Sequence, residues 1–166
     1  MPGQAVVRRA AVLRWQRFRQ QAGSVADLMG FHAQHKLLLM ACSPAAYRSL
    51  GRVVGQTGRG DLERSLEAYG AGFVEAMACS ITRPRHVNVL QHIAGYFKRT
   101  LPDADRKAIE AAIEDYQQAR TPLGVPINLL ASHAEDHGVE YLLQQVYLDC
   151  APAGFRPSVR GSRDRA

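Results

Sequence analysis

Four histidines stand among residues that otherwise look like buried core. His32 and His35 lie in FHAQHKLLLMACSP at residues 31–44, and His86 and His92 in TRPRHVNVLQHIAGYFKRTL at residues 82–101. An ionisable group on a buried face costs free energy unless something satisfies it, so these positions are the first candidates for function. Three- and four-residue spacing places Leu28, His32, His35 and Leu39 on one helical stripe. Such a histidine pair holds a metal only with further ligands. His86 or His92 would have to supply them, and no carboxylate is placed by spacing to help. The plainer alternative is histidines hydrogen-bonded inside a helical core, and a third is a polar or phosphate-binding pocket.

Residues 82–101 carry a second kind of chemistry. Val87, Leu90, Ala94, Phe97 and Leu101 make an apolar stripe, and Arg85, Asn88, His92, Gly95 and Arg99 the opposite one, flanked by Gln91 and Lys98. Cations on such a face suit phosphates, while Asn88, Gln91 and His92 have the donors and acceptors to reach bases or ribose hydroxyls. Arg83 and Arg85 add charge at a helix N-terminus, where backbone amides already favour anions. The expected nucleic-acid contacts are therefore Arg83, Arg85, His86, Asn88, Gln91, His92, Lys98 and Arg99, joined by His32, His35 and Lys36 from the neighbouring helix.

No catalytic motif stands beside these residues. GRVVGQTGRG at residues 51–60 lacks the GK[ST] of a phosphate-binding loop, and there is no GxSxG, HExxH or CxxC pair. Cys42, Cys79 and Cys150 are odd in number and lack cluster spacing, which reads as reduced cytosolic thiols. No metal site and no cofactor are expected, and no catalytic residue can be assigned.

The elements that must position these residues are helical throughout, since no alternating run of strand length is bounded by hairpin residues. Helices are expected over about residues 4–22, 24–42, 44–56, 62–79, 84–101, 103–119, 125–137 and 139–148. Gly23 stops the first, Ser24 caps the second with Asp27 in its first turn, and Ser43-Pro44 opens the third. The second is apolar almost all round, as a central helix must be. TGRGD at residues 57–61 is expected to be a loop. The sum is an all-α fold, a single compact bundle of about seven or eight helices. It divides into a basic amphipathic helix at 1–23, a helical domain at 24–149 and a basic, disordered tail at 150–166.

At 166 residues and 46% hydrophobic content the chain suits one soluble domain, and no apolar run approaches the roughly 20 residues that span a bilayer. No secretory signal is recognisable, so the location expected is cytoplasmic. The net charge of +6 is segregated: residues 1–23 carry +5, 28–60 and 82–107 carry +4 each, and 109–150 carry −6. Blocks of one sign draw in an oppositely charged partner, of which nucleic acid is the commonest.

FHAQHKLLLMACSPAAYRSLGR and TRPRHVNVLQHIAGYFKRTL, with the later TPLGVPINLL and YLLQQVYL, resemble the YbgA-like family over about residues 24–149. Cys42 is a departure, standing where many relatives have histidine. Members of that bacterial family occur alone or fused behind a cysteine-ligated iron–sulfur domain that removes sulfur from thiouracil-type bases, including thiouridine in tRNA. VLRWQRF at residues 12–18 is similar to the junction between the two halves. The resemblance implies a helical accessory domain that binds RNA, most naturally tRNA, and works with a thiouridine desulfidase. This chain has no desulfidase half, which argues against independent catalysis. Two alternatives stand beside that reading: an enzyme with a metal-assisted pocket lined by His32, His35, His86 and His92, and an interaction module docking through the Trp15 helix.

Overall fold

The computed structural model describes residues 2–57 and 61–150. Gly58, Arg59 and Gly60 of the expected loop, and the tail beyond Cys150, lie outside the described residues. Among the described residues there are eight α-helices and no strand: α1 (Pro2–Gln21), α2 (Val25–Cys42), α3 (Pro44–Gln56), α4 (Leu62–Ala78), α5 (Arg83–Ala94), α6 (Asp103–Gln117), α7 (Gly124–Asp136) and α8 (Glu140–Leu143). Two 3-10 turns, Gly95–Phe97 and Val146–Cys150, follow α5 and α8. No helix among the described residues is long and apolar enough to cross a membrane.

Local chemistry explains most boundaries. At the start of α2 the Ser24 hydroxyl accepts from the Asp27 N–H while the Asp27 carboxylate accepts from the Ser24 N–H. This reciprocal cap satisfies two amides that a helix start leaves orphaned. Ser43 caps α3 ahead of Pro44, whose missing N–H costs nothing there. Gly138 closes α7 at φ +60, a conformation glycine adopts without strain.

Two boundaries differ from expectation. The fifth helix ends at Ala94 rather than near Leu101, and the chain tightens into the 3-10 turn Gly95–Phe97. Gly95 weakens the helix there and Pro102 forbids its continuation. The freed carbonyls of Lys98 and Leu101 accept from the Arg106 guanidinium on α6. Similarly, the eighth helix spans only four residues before the 3-10 turn Val146–Cys150, because Gln145 turns inward to serve another helix.

Helix α2 lies at the centre, packed against α3, α4, α5 and the C-terminal 3-10 turn, with Leu28, Leu37, Leu38 and Leu39 fully buried. Helix α1 packs across α4 and that same turn, and inserts Trp15 among Phe31, Tyr69 and Phe73 at ring distances of 5.1–6.0 Å. Gly70 makes the insertion possible, since a Cβ there would stand 2.7 Å from the indole Nε1. The core runs unbroken from Val7 on α1 to Cys150.

Candidate nucleic-acid interface

The four histidines have four different surroundings. His35 is 1% exposed, and its Nδ1–H donates to the Phe31 carbonyl at 2.8 Å, leaving Nε2 buried without a hydrogen-bond partner. Its ring stacks on Phe31 at 4.0 Å. His86 is wholly buried, and its Nδ1 is hydrogen-bonded to the Tyr147 hydroxyl at 2.8 Å. Burial pulls the pKa of each down to about 4, so both are neutral in the fold. His32 is half-buried and hydrogen-bonded to the Tyr69 hydroxyl at 3.1 Å, and burial together with Lys36 lowers its pKa as well. His92 is exposed.

These placements correct two expectations. His35 and His86 were expected among the nucleic-acid contacts, but their burial keeps them from any macromolecule. The four histidines do not line one pocket, and among the described residues no group of three or more His, Cys, Asp or Glu side chains could hold a metal ion. Trp15, on the expected apolar stripe of the first helix, is buried in the core.

The polar face of α5 divides between two neighbours. Toward α6, the Arg83 guanidinium donates to the Tyr116 carbonyl and sits 4.8 Å over the Tyr116 ring. Gln91, Gly95 and Lys98 share an open groove of about 600 Å³ with Glu110 and Glu114 of α6. Those carboxylates offset the cation where a phosphate would have to lie. Asn88, next to this groove, and Arg99, beyond the end of α5, are exposed. Toward α2, Arg85 donates to the Cys42 carbonyl at 2.8 Å, and the exposed His92 and Tyr96 follow along the same flank.

On that second flank a cluster assembles which the sequence did not reveal. Tyr96 stacks on Tyr141 of α8 at 5.4 Å and 21°, and His92 meets the Tyr96 ring edge-on at 6.0 Å. Tyr47 of α3 stacks parallel to His32 at 6.0 Å, with the Lys36 ammonium 5.9 Å from its ring centre. The Tyr141 hydroxyl is buried without a hydrogen-bond partner. Burial raises its pKa, and the nearby Tyr96 and Tyr47 phenols raise it further.

Gln145, 3% exposed, holds this assembly to α2. Its Oε1 accepts from the Leu37 N–H, and its Nε2 donates to the Ala33 carbonyl at 2.8 Å and to the Tyr141 carbonyl at 3.3 Å. Of the eleven expected site residues, His32 and Lys36 thus meet Tyr47, while His92 meets the pair Tyr96 and Tyr141. The missed signal was an aromatic beside a cation and off the apolar stripe, as in AYRS and GYFK.

The basic first helix is also partly committed. Arg8 donates to the carbonyls of Met77 and Cys79, Arg14 pairs with Asp149 at 3.2 Å, and Arg19 pairs with Glu63. Arg9 and Arg17 are exposed, beside Val6 and Leu13, which are 65% and 54% exposed.

A family model described as "Protein of unknown function (DUF1722)" matches residues 36–152. The chain is 24% identical over 151 residues to "Uncharacterized protein YbgA" of Escherichia coli (strain K12), an alignment covering 89% of this chain and 88% of that protein. No solved structure matches the chain.

Proposed function

Since the chain belongs to the DUF1722 family of YbgA-like proteins, we propose that it is an RNA-binding accessory protein, acting on tRNA in the cytoplasm alongside a thiouridine desulfidase. The observation that carries the RNA reading is the setting of Lys36 and His32 against Tyr47, and of exposed His92 against the stacked pair Tyr96 and Tyr141. A cation and hydrogen-bonding imidazoles set among aromatic rings suit single-stranded or looped RNA, the polar groups for its phosphates and the rings for its bases. Arg9, Arg17 and Arg99 are further exposed cations. The partner and the choice of tRNA rest on the family resemblance alone.

Such an interface neutralises few phosphates, so affinity for tRNA falls moderately with salt. With roughly three neutralised on unpaired RNA, it drops about 20-fold between about 50 and 200 mM salt. A filter-binding or anisotropy titration with unfractionated tRNA measures this. Absence of binding at the lower salt concentration would overturn the proposal.

A further inference from the structure

The tyrosine cluster has an internal order that specifies which part of an RNA it takes. Tyr96 is 40% exposed although Tyr141 and His92 pack against its ring. Tyr141 backs one face at 5.4 Å, the His92 ring closes one edge at 6.0 Å, and Gln145 ties the Tyr141 backbone to α2. Tyr96 itself sits in the 3-10 turn Gly95–Phe97, immediately after α5 ends. Phe97, the next residue, is wholly buried and anchors that turn in the core.

A ring packed against two neighbours has less rotamer freedom to lose on binding than an isolated surface tyrosine. Its open face can accept a flat partner by stacking. A base inside a duplex has both faces occupied by its neighbours, whereas an unpaired base offers one. The His92 ring, at the edge of Tyr96, is placed for the adjoining backbone.

Building on the RNA-binding reading, we infer that Tyr96 is a stacking platform for one unpaired nucleobase, with His92 hydrogen-bonding the backbone beside it. Recognition is by the base's flat face and tolerates any base. Selectivity is for single-stranded over paired RNA.

The experiment uses the full chain with a fluorescein-labelled 12-nucleotide oligouridylate and a 12-base-pair RNA duplex, comparing wild type, Tyr96→Ala and Tyr96→Phe by anisotropy at low salt. Circular dichroism checks that each variant is folded. The expected result is tighter binding of the single strand by wild type and a loss of about tenfold in Tyr96→Ala. Tyr96→Phe, which keeps the ring, retains wild-type affinity, and the duplex affinity is the same in all three proteins. If wild type binds both RNAs equally and Tyr96→Ala changes neither, the stacking platform is wrong while RNA binding stands. If wild type binds neither RNA, the RNA-binding reading fails and the platform with it.

Discussion

At the scale of single residues, His35 and His86 tie the stability of the fold to pH. An unfolded chain protonates histidine near pH 6.5. In the folded protein burial holds both near 4, so protonation has to wait for a much lower pH. Between those values the unfolded chain binds protons that the folded one refuses, and stability falls as pH falls. It is fully present above about 6.5 and declines toward 4, by on the order of 3 kcal/mol per histidine at most. Urea midpoints taken from pH 7 to pH 5 should decrease steadily, and His86→Gln should reduce the slope. A midpoint independent of pH over that interval would show that these imidazoles are not neutral in the fold.

Among the elements, the contact of α1 with α4 depends on a missing side chain. The indole of Trp15 lies where the Cβ of any residue but glycine would stand at position 70, with three ring atoms 2.7–2.9 Å away. Trp15 cannot retreat, because Phe31, Tyr69 and Phe73 surround it. Gly70→Ala gains about 1 kcal/mol in helix propensity on α4, yet overpacking costs roughly 1–3 kcal/mol, so the clash wins. Thermal unfolding should show a lowered midpoint, and an unchanged or raised one would mean that the two helices separate freely. The same reasoning explains Gln145, whose amide clips α8 to the central helix by hydrogen bonds to Leu37, Ala33 and Tyr141. Without that clip, nothing at residue spacing would bring Tyr141 to Tyr96.

For the molecule as a whole, one continuous core joins α1 to the C-terminal 3-10 turn. Trp15, the only tryptophan, sits inside it at 6% exposure and reports on the docking of the first helix. If α1 belongs to the same cooperative unit, Trp15 fluorescence and far-ultraviolet circular dichroism lose their native signals at one urea concentration. A fluorescence transition at clearly lower urea would make α1 a separately detaching element. The charge segregation visible in the chain also changes meaning at this scale. Three of the five arginines of α1 turn to carbonyls or carboxylates of the body, and acidic α6 faces the Lys98 side of α5. What remains of the positive surface is smaller than the sequence charge suggests.

The sequence by itself determined the helical class, the order of the helices, their capped starts and the family. These depend on local rules: a 3.6-residue apolar period, Ser24 and Ser43 as caps, and prolines at positions 44 and 84 where helices begin. Termination was less legible, because Arg106 and Gln145 act on carbonyls that are near in space only. The site was legible in part. Residue types and spacing brought out His32, Lys36 and His92, but could not separate them from His35 and His86, because burial on a helix is decided by which neighbours pack where. The pairing of Tyr96 with Tyr141, and of Tyr47 with His32, joins residues 45 and 15 positions apart. Such contacts leave no periodic trace in a chain. They exist because a central helix that is apolar nearly all round forces its neighbours to pack against it, and their aromatic edges meet where that packing ends.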